Sequence, residues 1–310
     1  MDRANAPARP PWVVLPSLLL LLFCPAFFPS ISFSSDLGPG YAGDAACREC
    51  HKEEQHGFDQ TIHSRVFSAE NARTPLMKIG CEACHGPGKA HAESKDDDGS
   101  NLIRFVAESP EGIERENGAC LSCHDKQPHL YWEGGPHESE DLACSSCHTL
   151  MEKRSQHALL KKPTELETCG QCHRMRIAQT FRNAHMPLRE GQMSCTSCHN
   201  PHGTAGKANL TDIWPNETCY RCHTDKRGPF LWEHVPSTES CMSCHDPHGT
   251  VRPRMLKLLV PRLCQQCHIE TRHPTEARLP TNKFVIGAAC LQCHKNIHGS
   301  NHPSGFAFTR

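Results

Sequence analysis

Hydrophobic positions are spread very unevenly along this 310-residue chain. Residues 12–33 are almost wholly apolar, with the run Leu18–Leu22 at their centre and Arg3 and Arg9 just before them. A short basic region, an apolar stretch and then small residues at cleavage spacing (Ser30, Ser32 and Ser34) read as a secretory signal peptide over residues 1–34. The alternative is an uncleaved anchor, since the stretch is long enough to span a bilayer. Pro16, Pro25 and Pro29 disfavour a continuous spanning helix. Cys24 goes with the removed segment, because Phe23 before it is too bulky for a lipoprotein site. No second span of this kind follows, so the mature chain, residues 35–310, is expected to be soluble and exported. Its predicted elements are short helices around recurring cysteine motifs, long irregular loops and hardly any strand. Gly86–Pro87–Gly88, Gly134–Gly135–Pro136 and Pro236 mark turns. One longer insertion, about residues 92–119, carries the charge run Lys95–Asp98 and reads as a solvated loop.

Composition sharpens this. Only 37% of residues are hydrophobic and 6% aromatic, which makes a conventional core thin for this length. Disorder would explain that, but 21 cysteines demand cross-links or a cofactor. The formal net charge of -1 offers no basic footprint, so nucleic acid is not an expected partner.

The twenty cysteines after Cys24 fall into ten Cys-x-x-Cys-His units with none left over. The units begin at Cys47, Cys81, Cys120, Cys144, Cys169, Cys195, Cys219, Cys241, Cys264 and Cys290. Their second cysteines are Cys50, Cys84, Cys123, Cys147, Cys172, Cys198, Cys222, Cys244, Cys267 and Cys293. They close with His51, His85, His124, His148, His173, His199, His223, His245, His268 and His294. On a helical turn, positions i, i+3 and i+4 point to one side. Two thiols so placed can form thioethers with the vinyl groups of one porphyrin while the histidine reaches its iron as proximal ligand, the haem c attachment pattern. Disulfides or Cys-x-x-Cys zinc sites would use the cysteines, but neither explains a histidine after every second cysteine. Ten covalent haem c groups are therefore expected. Their propionates would make the loaded chain more acidic than its formal charge.

Thirteen of the 23 histidines remain for the second axial positions. They expose a two-haem repeat. A first motif is followed 11 to 13 residues after its histidine by another histidine, then by a second motif, then by a candidate ligand three to six residues on. Module one (about 47–91) runs His51, His63, His85, His91. Module three (169–202) runs His173, His185, His199, His202, and module four (219–248) runs His223, His234, His245, His248. The last two share Cys-His-x-Pro-His-Gly at Pro201–Gly203 and Pro247–Gly249. Module two (120–157) departs: after His124, His137 and His148, Met151 stands where the register predicts histidine, and His157 follows. A thioether ligand raises haem potential relative to histidine. Met151 and His157 both stay open as ligands, with the fourth haem as the expected exception. In module five (264–302) His268 is followed by His273, then His294 and His298, with His302 in competition. His56 and His129 are spare and read as surface residues.

So many haem sites between Cys47 and His302 leave too little chain for separate domains. The expected fold is a multihaem cytochrome c, mostly irregular with short α-helices and little or no β, an elongated haem wire of five two-haem modules. Trp132, Trp214 and Trp232 lie between motifs and suit haem packing. Paired acids such as Glu53–Glu54 and Asp96–Asp98 read as solvated surface. No Ser/His/Asp arrangement, free mature cysteine or phosphate loop is present, and no catalytic residue is expected. Candidate ligands for all ten irons favour an electron carrier over a nitrite- or hydroxylamine-converting enzyme, which needs an open axial site. A soluble periplasmic shuttle is the other alternative.

The ten motifs, Cys81-Glu-Ala-Cys-His-Gly-Pro-Gly with His91, the stretch His185–Gly203, Cys241-Met-Ser-Cys-His-Asp-Pro-His-Gly, and the ending His294–Gly305 together resemble the periplasmic decahaem cytochromes of the MtrA/DmsE type, which includes the PioA proteins. The resemblance covers about Tyr41 to Gly305. It implies a periplasmic cytochrome inserted into a porin-like outer-membrane β-barrel. That role is extracellular electron transfer, in exchange with another multihaem cytochrome or an extracellular oxidoreductase. A barrel can enclose a polar plug, so such a wire could cross an insulating membrane without spanning it itself.

Overall fold

The computed structural model describes residues 38–94, 98–106, 109–185, 188–269, 290–303 and 305–309. The signal-peptide reading of residues 1–34, most of the Lys95–Asp98 run and His273 lie outside them. Backbone contacts divide the chain at Asp36/Leu37, and the unit Leu37–Arg310 holds all ten motifs.

Each motif is one α-turn. In all ten the histidine N–H donates to the carbonyl of the first cysteine at 2.9–3.1 Å, which brings both thiols and the imidazole to one side. The two motifs of a module are built differently. The first sits at the C-terminal end of a helix: Asp44–Cys50, Pro110–Leu121, Glu165–Gly170, Pro215–Tyr220 or Arg262–Gln265. The second sits on a single turn: Glu82–His85, Cys144–Cys147, or the 3-10 turns Cys195–Ser197, Cys241–Ser243 and Cys290–Gln292. Helix Pro110–Leu121 starts with Ser109 accepting from Gly112 N–H and with Pro110 in its first turn, a sound N-terminus. It occupies the end of the insertion expected to be loop. The helix forms because its last turn must carry Cys120 and dock on module two.

That docking is a side-chain clamp. Residues one turn before the first cysteine lie on its face of the helix. Asp44, Asn117 and Asn216, each three residues before Cys47, Cys120 and Cys219, accept from the N–H of Cys81 (3.2 Å), Cys144 (2.8 Å) and Cys241 (2.8 Å). Glu116 and Glu165, one position earlier, accept from Ser145 N–H (3.1 Å) and Thr196 N–H (3.1 Å). These bonds cap the second motif's turn, whose first N–H groups have no partner within the turn. They fix the two attachment sites of a module against each other.

The second motif's downstream loop is also repeated. Ala158–Leu159, Ala208–Asn209 and Arg254–Met255 are consecutive left-handed pairs with φ between 48 and 58°. The second residue of each pair accepts from the N–H of an anchor residue: Thr149 (2.8 Å), Asn200 (2.8 Å) or Asp246 (2.9 Å). In module five Asn296 N–H reaches Phe308 (2.9 Å) in the same way, one residue further from its motif histidine. Among the described residues the only β contacts are isolated bridges, such as His199↔Leu210 and Asn183↔Thr250. No described helix is long and apolar enough to cross a membrane.

The described polypeptide makes almost no apolar core of its own. Its buried hydrophobics are Trp132, Ala143 and Tyr220, while Glu116 and Thr61 are its largest wholly buried side chains. Polar clamps hold the chain where aliphatic packing would hold an ordinary domain.

Asn216 is buried, and its amide also donates to the carbonyls of Ser237 and Thr238. Asn216→Ala strands one N–H and two carbonyls. It should cost about 1–3 kcal/mol, read as a lower Tm of the holo-protein with haem content unchanged.

Candidate haem sites

Eight of the ten motif histidines stand opposite a second imidazole. Within module one His51 faces His91, with ring centroids 6.3 Å apart. Every other pair joins two modules. His63, His137, His185 and His234 reach forward to the next module's first motif, at His124 (6.0 Å), His173 (6.1 Å), His223 (6.4 Å) and His268 (6.2 Å). His202, His248 and His298 reach back to the preceding module's second motif, at His148 (6.0 Å), His199 (6.0 Å) and His245 (6.3 Å). Two metal–imidazole bonds of about 2 Å, with the ring radii added, put two axial imidazoles about 6 Å apart. The donor sets therefore fit one haem iron between each pair.

Hydrogen bonds select the ring nitrogen that meets the metal. His85, His148, His199 and His245 place Nδ1 at 2.7–2.9 Å from the carbonyls of Ile103, Ala158, Ala208 and Arg254, and His294 Nδ1 also bonds the Ala307 carbonyl. An Nδ1–H donating there leaves Nε2 for iron. At the seams between modules, His137 and His185 place Nδ1 against Pro201 O (2.7 Å) and Pro247 O (3.1 Å), and His234 bonds the backbone of Ile297. In each case the partner immediately precedes the histidine that reaches back. Burial, with neighbouring imidazoles, lowers the pKa of His63, His148, His234 and His298, and that of His202 to about 4. Burial lowers that of His248 too. These rings are held neutral, the form that binds a metal.

The cysteines trace the order of the sites. Within modules, the first cysteines of the two motifs are neighbours: Cys47 of Cys81, Cys120 of Cys144, Cys169 of Cys195, Cys219 of Cys241 and Cys264 of Cys290. Between modules, Cys84 interacts with Cys120, Cys147 with Cys172, Cys198 with Cys219, and Cys244 with Cys267. The attachment points thus succeed one another in chain order from Cys47 to Cys290.

Several expectations change. The modules are not self-contained: of the eight pairs only His51–His91 closes within one. The fourth motif is not the exception, because His202 faces His148. His157 lies one residue before the left-handed pair Ala158–Leu159, the position of Lys207 and Pro253. That places it on the loop buttressing His148, not opposite it. Between the competitors of module five, His298 faces His245, while the His302 carbonyl accepts from Trp232 Nε1. His129 is no isolated surface residue, since its ring lies 5.5 Å from His124 and 4.1 Å from His202. The clamp residues Asp44, Glu116, Asn117, Glu165 and Asn216 escape motif reading. Their only signal is an acid or amide three or four positions before a first-of-module cysteine.

Comparison with known proteins finds the same motifs. The family described as "Doubled CXXCH motif" matches residues 185–228 and 234–273, and the one described as "Cytochrome c-type protein NrfB-like" matches residues 81–172. The doubled-motif matches straddle module boundaries and enclose the facing pairs His185–His223 and His234–His268. The multihaem cytochrome MtrA of Shewanella baltica (strain OS185) is 40% identical over 85% of this chain and 80% of its own length. This chain belongs to the MtrA family of multihaem cytochromes. A further relative, the cytochrome c-type protein NrfB of Escherichia coli O6:H1, is 30% identical over 48% of this chain and 76% of its own length. This cytochrome carries ten haem c groups and is an electron carrier.

His137→Ala removes the imidazole opposite His173. Nine haems should stay low-spin and one become high-spin, and added imidazole should restore it. Electron paramagnetic resonance of the oxidised protein reads both changes.

Proposed function

We propose that the ten motifs hold their haems through the paired cysteines, with the motif histidines as proximal ligands and the facing histidines as distal ones. His273 supplies the tenth haem from within its own module, mirroring His91 at the first. Electrons pass between successive haems in chain order. The conduit is exported to the periplasm and seated in a porin-like outer-membrane β-barrel, where it exchanges electrons with a periplasmic cytochrome on one side and an extracellular cytochrome or oxidoreductase on the other.

The observation that carries this reading is the unbroken succession of neighbouring attachment cysteines from Cys47 to Cys290. A catalyst needs one exchangeable iron; a conductor needs every iron close to the next. Eight facing imidazole pairs favour the conductor, because two strong-field ligands on an iron would leave no position for substrate. The kinship with MtrA supports the outer-membrane setting.

The purified cytochrome should show reversible redox activity over a broad potential range and copurify with a β-barrel protein from outer-membrane extracts. Deleting its gene should abolish electron exchange between whole cells and an extracellular acceptor. If deletion leaves that exchange unchanged, the trans-membrane role is wrong.

A further inference from the structure

The seam between modules one and two is built unlike the other three. At those three, the residue two positions beyond the loop anchor is a histidine that reaches back: His202 after Asn200, His248 after Asp246, His298 after Asn296. The same count from Thr149, the anchor of module two, ends on Met151. The register is now set by equivalent hydrogen bonds and not by spacing alone. It directs Met151 to the preceding module's second motif, at His85.

Docking contacts agree. After each returning histidine comes a glycine with positive φ: Gly203 (99°), Gly249 (121°) and Gly299 (139°). A Cβ there would lie 2.0 Å from Tyr131 O, 2.3 Å from Gln179 O and 2.2 Å from the Phe230 ring, all in the preceding module. Glu152 follows Met151, so module two lacks that glycine. The close approach is kept by the other partner. Gly57 of module one stands where a Cβ would lie 2.0 Å from Met151 O. The glycine has changed sides and the contact has survived, so the Met151–Glu152 peptide is seated on module one as its counterparts are on theirs.

Among the described residues, the site it would serve has no facing imidazole of its own: none stands opposite His85 at the spacing seen for the eight pairs, and the His85 ring meets the edge of Phe105 at 5.2 Å. His63 Nδ1 is buried without an acceptor there, where the other seams supply the backbone of Pro201, Pro247 or Ile297. We infer that the Met151 thioether is the distal ligand of the second haem, Cys81–His85, making it a His/Met haem in a chain of bis-histidine haems. A thioether favours ferrous iron, so the second haem is the most oxidising of the ten. It would hold an electron in module one before its neighbours do.

The inference rests on the ligand pairing proposed above, and the two can fail separately. The oxidised holo-protein should show the weak far-red absorption of sulfur-to-iron charge transfer. Met151→His should abolish that band, keep ten low-spin haems and lower the most positive midpoint in a potentiometric titration. His157→Ala should change neither property. His202→Ala should turn one haem high-spin and leave the band intact. Absence of the band from the native protein overturns the inference, as does a band that survives Met151→His. If His202→Ala leaves all haems low-spin while Met151→His abolishes the band, the sulfur sits on the fourth haem, and both the pairing and the inference are wrong there.

Discussion

A haem iron has two axial positions, and a Cys-x-x-Cys-His turn can fill only one of them. The second ligand must come from elsewhere in the chain, and where it comes from decides how the chain is tied together. The facing histidines of this cytochrome lie mostly in the adjacent module. Full histidine crossings in both directions, one forward and one back, stitch three seams: His137 with His202, His185 with His248, and His234 with His298. Module two, three or four alone would leave both its irons half-coordinated. In this pairing, coordination, haem packing and chain order become one cooperative problem, as in metal-dependent domains where ligand binding supplies folding free energy.

That dependence explains the unusual interior. With three buried hydrophobic residues among those described, the polypeptide cannot account for its own stability by aliphatic burial. The apolar faces of ten bound porphyrins would take over that role. What the polypeptide contributes is placement. Asp44, Asn117 and Asn216 lock one attachment turn to the next, and the left-handed pairs after His148, His199 and His245 present a carbonyl to each ring. Replacing a core by cofactors also suits conduction, since the groups that stabilise the chain are those that carry the electron.

Resemblance among the seams makes departures informative. Glu152 in place of glycine would break the docking of modules one and two if Gly57 did not yield the space. A change of ligand type is thus embedded in a change of backbone fit on both sides of the seam, and a single substitution at Met151 alters only the first.

The sequence by itself determined the number of haems, because covalent attachment needs two thiols and an imidazole on one helical turn, a local requirement that ten motifs meet in full. It also fixed the two-motif repeat, the scarcity of regular structure and the pool of second ligands, including the anomaly at Met151. Only the tertiary structure decided which histidine faces which. Spacing along the chain says how far a ligand lies from its own motif, not which neighbouring motif its loop folds onto. His202 follows the sixth motif yet faces the fourth. The one-residue shift of His298 becomes intelligible only through the hydrogen bond from Asn296 to Phe308. The clamps were invisible for the same reason: an asparagine three residues before a cysteine is ordinary until a second turn, 25 residues on in the case of Asn216 and Cys241, is seen to hang from it.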